Sequence, residues 1–469
     1  MSMTSSVTAL LPELVLLLGA VLCLLLGSWT PRLRQHRVRV VAGLVVLAFL
    51  GTAVLGLVRP STTAFSATFT VDEATGLLRV VVGAALLVLL LLAGDEIAGH
   101  PRESEVYVLL LLGADGVLLV GGTTDLAVLV VGFLLASIPL YGLIGLSTTA
   151  AAPEAALKTY LIGALSGIVL MLGASVLFGL AGSTAYADLD AGIGDAPVAA
   201  GAAGVVLLLV GLLFKAGAVP AHFWVPDAVQ GSWVTTAAFL TTVPKLGAVL
   251  AIARLLEALP RESVWPTLVA VLAAVSMTVG NLAALTQDDV RRLLGWSTIS
   301  QVGYLLAVVA AFPGSELARP TLLLFLAAYA VTNLGCFAVL AAAPDRTRID
   351  HWRGTARRRP GLVAALGVAL LGLVGTPPTA VFVAKVLTIA VTWDAGLAWL
   401  AVLVAANTVL SLAYYLRWLA ACISAPREQA EADVADPPGR LTSARLAYGC
   451  AVGAVALGLA AGPVLALAG

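Results

Sequence analysis

The chain has 469 residues, with 26 Lys and Arg balancing 26 Asp and Glu; 60% of it is hydrophobic and only 11% charged. A water-soluble fold of this length covers its surface with about 25% charged residues, so the composition excludes a soluble enzyme and points to an integral membrane protein. Zero net charge and the lack of any basic stripe give no sign of nucleic acid as a partner.

Apolar stretches of about twenty residues, the length that crosses a bilayer as a helix, recur from end to end. In chain order the expected spans are 7–27, 38–58, 76–93, 105–121, 124–146, 155–181, 199–229, 233–258, 264–286, 290–311, 320–342, 361–392, 396–422 and 441–467. Long apolar runs of this kind predict an all-α protein of about fourteen transmembrane helices, not the alternating pattern of a barrel. The first span leads straight into others and reads as a retained helix. Loop arginines alternate in density. Arg32 to Arg39, Arg102, Arg291, Arg292, Arg346 to Arg359, Arg427 and Arg440 fall in one set of loops. The other set holds Arg59, Arg261 and Arg319, with Asp188, Asp190 and Asp195 in one acidic loop. The first set is expected on the cytoplasmic side and both termini outside, in lipid bilayer. The polar stretches near 343–360 and 423–440, the latter with Glu428, Glu431, Asp433 and Asp436, read as linkers.

Span 7 breaks the apolar rule. It reads GLLFKAGAVPAHFWVPDAVQG and contains Lys215, His222 and Asp227, with Pro220 and Pro226 close behind the lysine. Proline removes a backbone donor and clashes with the preceding turn, so this span is expected to be interrupted. Span 12 repeats the theme with Gly375, Thr376, Pro377, Pro378 and then Lys385. Two broken helices, each with a lysine, five spans apart, are the pointer to inverted repeats. The expected organisation is an N-terminal three-helix segment (1–104), a first repeat of spans 4–8 (105–258) and a second, inverted repeat of spans 9–13 (259–422). A polar loop and last helix (423–469) complete it.

A lysine at bilayer depth costs roughly 2.5–3.5 kcal/mol on insertion scales and usually faces a polar interior. Lys215, Lys245 and Lys385 are such residues. Lys158, near the end of span 6, reads equally as a snorkelling lysine or a titrating one. Asp115, roughly 15 Å inside span 4, is either a packing aspartate or a proton-relay carboxylate. Glu13 reads as structural. His222 is a candidate bridge between two half-channels or a satisfied core histidine, and Asp227 reads as a cap on the broken segment. Cys23, Cys336, Cys422 and Cys450 stand singly, with no CxxC and no metal spacing, so they read as small buried hydrophobes. No GxGxxG or phosphate loop occurs, so cofactors are expected elsewhere than in this chain.

The stretches FKAGAVPAHFWVPDAVQG, AAFLTTVPKLG, NLAALTQDDVRRLLGWSTISQVGYLL and VGTPPTAVFVAKV resemble signatures of the antiporter-like membrane subunits of respiratory complex I. DAVQG followed by FLTTVPK is similar to the subunit-N branch of that family. The resemblance covers nearly the whole chain. It implies that Lys215 is the first-repeat lysine, with Lys158 matching the lysine of span 6, Lys245 the central lysine and Lys385 the terminal-channel lysine of a hydrated proton path. It also implies M-like and K-like membrane neighbours in a bacterial cell membrane. An electron donor such as NADH, FMN, iron–sulfur clusters and quinone would then sit in partner subunits.

Several positions depart from the family pattern. The glutamate of span 5 that pairs with the span-7 lysine aligns with Leu134, and the span-10 histidine with Gln301. Prolines after span 7 appear as Trp233 and Thr235, and two glycines of span 12 as Val381 and Ala384. Leu134 cannot titrate, and Asp115 is expected to stand in for the missing carboxylate beside Lys215. Three functions remain in view: a proton-translocating subunit of a complex I-like NADH:quinone oxidoreductase, a subunit of an Mrp-type cation/proton antiporter, or a structural subunit with a modified first half-channel.

Overall fold

The computed structural model describes residues 3–194, 197–260, 264–425 and 440–467; the expectations for Asp195, Arg261, Arg427, Glu428, Glu431, Asp433 and Asp436 lie outside the described residues. Short α1 (Met3–Ala9) precedes the first long helices, α2 (Leu11–Trp29) and α3 (His36–Leu57). A hairpin of β1 (Thr62–Ala64) and β2 (Phe69–Val71), absent from the sequence expectation, then leads into α4 (Glu73–Glu96). Next come α5 (Glu103–Gly122), α6 (Leu126–Gly145), α7 (Ala152–Ala181) and the surface turn α8 (Leu189–Gly194). Span 7 is divided into α9 (Val198–Ala216) and α10 (Trp224–Gly231), followed by α11 (Val234–Glu257), α12 (Trp265–Leu285), α13 (Val290–Ala310) and α14 (Ala318–Ala342). The loop near 343–360 is more structured than a linker and contains α15 (Thr355–Arg358). Span 12 is likewise divided, into α16 (Pro360–Val374) and α17 (Ala380–Asp394). The chain finishes with α18 (Ala398–Ile423), α19 (Leu441–Leu459) and α20 (Ala461–Leu467), so the last span is shorter than expected. Among the described residues, 13 helices are long and apolar enough to cross a membrane, and the divided α16–α17 span adds the fourteenth crossing expected from sequence.

The two interruptions share a local cause. Gly217 and Gly375 end α9 and α16 in the left-handed conformation, with φ of 76° and 91°, a region open to glycine at little cost. Pro220 and Pro378 then follow, each with a cis peptide bond before it. Elsewhere, aspartates start helices: Asp125 accepts from the N–H groups of Ala127 and Val128 at the start of α6, and Asp289 from Arg291 and Arg292 at the start of α13. Such caps satisfy donors that have no partner within the helix.

The chain divides into two compact units, one of Met1–Leu90, Ile97–Trp224 and Val243–Val269, the other of Leu91–Glu96, Val225–Thr242 and Ala270–Gly469. In the first unit helices approach at glycines: a Cβ on Gly116 of α5 would lie 2.2 Å from the backbone nitrogen of Ala136 on α6. A Cβ on Gly247 of α11 would lie 2.4 Å from the carbonyl of Val117. Arg254 ties this unit at one end, donating to Asp72 Oδ1 (2.7 Å), Thr75 Oγ1 (2.9 Å) and the Gly121 carbonyl (2.8 Å). Burial alone would raise the pKa of Asp72, but the Arg254 charge and hydrogen bonds from Arg254 and Thr75 hold it below the ordinary carboxylate value.

In the second unit, neighbouring acids at the end of α4 cap two different helices. Glu96 accepts from the backbone N–H groups of Val234 and Thr235, each at 2.8 Å, at the start of α11. Asp95 accepts from the N–H and hydroxyl of Ser443, also at 2.8 Å, at the start of α19. The core of this unit is unusually polar. Asn333 donates to Thr241 and Thr242, Tyr329 to the Thr241 carbonyl, Tyr414 to Asn281, and Asn281 to Asn407.

Candidate functional site

Three lysines of membrane-spanning helices are almost sealed from solvent: Lys215 is 1% exposed, Lys245 0% and Lys385 3%. Lys215 lies in the last turn of α9, where the break begins. Its ammonium donates to Ser137 Oγ at 2.5 Å and sits 5.0 Å from the centre of the Phe133 ring. Ser137 and Phe133 are one turn apart on α6, so a single face of α6 receives the charge. Lys245 follows Pro244 inside α11; its Nζ lies 4.9 Å from the Trp224 ring and has no hydrogen-bond partner among the described residues.

Lys385 is held differently. It reaches from α17 back to the end of α16, donating to the carbonyls of Leu373 and Val374 at 3.0 Å each. These are end carbonyls that the broken helix leaves without donors, and they carry the negative end of its dipole. The Tyr304 ring caps the ammonium from α13, 3.9 Å from its centre. A Cβ on Gly375 would meet Lys385 Cδ at 3.0 Å, so the glycine that permits the break also leaves room for the lysine stem. Gln301 donates to the same Leu373 carbonyl at 2.9 Å.

The other predicted residues divide. His222 is buried in the span-7 interruption, its ring 4.2 Å from that of Phe223. Asp227, in the first turn of α10, forms an ion pair with Arg292 at 2.5 Å. Lys158 is not gathered with the deep lysines; it is exposed and paired with Glu154 at 2.5 Å in the first turn of α7. Leu134 is 38% exposed; the residues of α6 that meet Lys215 are Phe133 and Ser137, one position before it and three after. Asp115 is buried, yet it forms no ion pair with Lys215. Its Oδ1 has no hydrogen-bond partner among the described residues. Helical phase is the reason. Gly116 faces α6 and Val117 faces α11, and at about 100° per residue Asp115 is turned away from both.

Ser137, Phe133, Trp224 and Tyr304 were not singled out from sequence. The first two were within reach, since they stand one and three positions from Leu134, where the resemblance places a glutamate. Trp224 and Tyr304 required the fold. All four cysteines are buried and unbridged. Among the described residues no group of three His, Cys, Asp or Glu side chains is placed to hold a metal.

Two divided helices, each with a lysine at the break, and a third lysine behind a helix proline define a membrane protein of the antiporter-like class. The family model described as NADH:quinone oxidoreductase/Mrp antiporter, TM, matches residues 123–411. A relative from Mycobacterium sp. (strain JLS), NADH-quinone oxidoreductase subunit N, is 52% identical over 96% of this chain and 96% of its own length. A chain of respiratory complex I from Thermus thermophilus superposes with a TM-score of 0.84 at 31% identity, covering 97% of this chain and 99% of that one. A chain of the Mrp complex from Dietzia sp. has a TM-score of 0.86 at 21% identity, over 99% and 96%, a likeness of fold alone. The chain belongs to the NADH:quinone oxidoreductase/Mrp antiporter family, within it to the subunit-N group of NADH-quinone oxidoreductase membrane subunits.

Proposed function

We propose that this chain carries protons across the membrane as the N-type subunit of a complex I-like NADH:quinone oxidoreductase, through Lys215, Lys245 and Lys385. The observation that carries the reading is that three ammonium groups are buried at membrane depth and, among the described residues, none has a carboxylate within ion-pair distance. An uncompensated buried charge is costly, so a small change in the surrounding field moves its proton. Lys215 and Lys245 lie in one unit, and like charges near each other in an apolar interior disfavour each other's loading. Moving one charge against 100 mV costs about 2.3 kcal/mol, within the scale of such interactions. His222, beside the break, passes the proton on. Lys158 serves at the mouth.

In this reading residues 105–258 and 259–422 are the two inverted repeats, the membrane is the bacterial cell membrane, and both termini face outward. M-like and K-like membrane subunits adjoin the chain, and FMN, iron–sulfur clusters, the electron donor and quinone lie in partner subunits. Lys385→Met in the assembled complex tests it. NADH-driven acidification of inverted vesicles should collapse while electron transfer to a soluble acceptor persists, and Lys385→Arg should restore part of the pumping. Wild-type acidification in Lys385→Met sinks the reading. Purification without NADH-oxidising partners, together with sodium/proton exchange, would favour the Mrp-type alternative instead.

A further inference from the structure

A second buried charge cluster lies in the first unit, apart from the lysines. Arg79 of α4 forms a two-pronged pair with Glu13 of α2, Nε to Oε1 at 2.7 Å and Nη2 to Oε2 at 2.8 Å. Its Nη2 also donates to the Ala9 carbonyl at 2.9 Å, and its guanidinium lies 5.9 Å from the Phe69 ring. Arg79 is 2% exposed, Glu13 4% and Asp115 2%. The register of α2 and α5 sets Asp115 at the level of the pair, and its helical phase turns it from α6 and α11. Gly27 meets Ser104 near one end, where a Cβ on the glycine would lie 2.8 Å from the serine Cβ. Fourteen residues back along α2 stands Glu13, and fourteen forward along α5 stands Leu118, both about 21 Å away. Asp115 is within one turn of that level.

We propose that Glu13, Arg79 and Asp115 form a proton-holding site, with the proton on Asp115. Two carboxylates and one guanidinium leave one negative charge too many for an apolar interior, and a buried carboxylate without donors is costly to ionise. The arginine is spent on Glu13, so Asp115 is the group left without a donor. One proton brings the cluster to neutrality. The elements packed around α5 bring no other charge at this level. The buried face of α3 is Val38, Ala42, Val46, Phe49 and Ala53, α6 presents Leu135 and Ala136, and α11 presents Gly247 and Leu250. Lys245, two positions from Gly247, is turned to Trp224.

The site has a way in. A cleft of about 420 Å³, lined by Ser5, Thr8, Pro12, Thr52, Arg59 and Arg79, opens beside α1 and the end of α3 and reaches the guanidinium. Its hydroxyls can order water along the route. Asp115 is therefore not a substitute carboxylate for Lys215 but a separate proton store, filled from the face that carries α1 and the hairpin.

The test is infrared difference spectroscopy of the purified, assembled complex after a pH jump in sodium-free buffer, independent of whether the lysines pump. A protonated-carboxyl C=O band that shifts on exchange into heavy water is expected in the wild type, lost in Asp115→Asn, and kept at a moved frequency in Asp115→Glu. Glu13→Gln should also abolish it, because Asp115 and Arg79 then balance without a proton. A purely packing aspartate predicts no such response to a change at Glu13. The proposal is overturned if the band survives Asp115→Asn, if it survives Glu13→Gln, or if sodium rather than a proton quenches the cluster's carboxylate signal.

Discussion

Removing Glu96 should loosen the helix that carries Lys245. Its carboxylate accepts from two consecutive backbone N–H groups, those of Val234 and Thr235, at 2.8 Å each. Val234 is 5% exposed and Thr235 1%, so water cannot fully replace the acceptor. Each orphaned buried donor costs about 1–3 kcal/mol, and the carboxylate adds a favourable interaction with the helix dipole of about 0.3–1 kcal/mol. Glu96→Ala should therefore destabilise by about 2–7 kcal/mol, and Glu96→Gln, which keeps one acceptor oxygen, by about half. Proline has no N–H to satisfy. Thr235→Pro should cost stability while Glu96 is present but recover part of the loss in the Glu96→Ala background, giving a double-mutant cycle far from additive. The assay is thermal unfolding of the purified complex, followed by tryptophan fluorescence and retained electron transfer. A Glu96→Ala protein that melts with the wild type, or an additive cycle, refutes this account of the cap.

Two further outcomes follow from the packing. Asp72 has a folded pKa below its unfolded value near 3.9; its pairing with Arg254 therefore contributes fully above that pH and is lost as pH falls through the lower folded value. Asp72→Asn should lower stability by about 1.5–3 kcal/mol at neutral pH and flatten the acid limb of a stability–pH curve; an unchanged acid limb contradicts it. Gly116→Ala should force α5 from α6, because its Cβ would sit 2.2 Å from backbone that cannot rotate away. The expected loss is about 1–3 kcal/mol, read as reduced assembly yield, and a fully assembled, equally stable variant rejects that packing.

The amino-acid pattern made the spans and both breaks legible, because bilayer thickness imposes length and proline and glycine mark where a helix cannot continue. It also made Lys215, Lys245 and Lys385 legible, since a lysine within twenty apolar residues has few explanations. Direction around a helix was not legible. Asp115 and Leu134 sit at depths compatible with Lys215, yet depth leaves the azimuth open, and one position along α6 separates an outward Leu134 from an inward Phe133. Nor could sequence pair Glu13 with Arg79, or Asp95 and Glu96 with the starts of α19 and α11, across separations of 66 to 348 residues. Those partnerships exist only once the helices have packed.

The most direct measurement is the number of protons moved per NADH oxidised by the reconstituted complex carrying Lys245→Met. Lys245 is the most deeply sealed of the three lysines and the one without any hydrogen-bond partner among the described residues, so no hydrogen bond is lost with its ammonium. The account predicts a clear fall in the proton ratio, with NADH oxidation by a soluble acceptor and assembly both preserved. An unchanged ratio in a correctly assembled variant would contradict it.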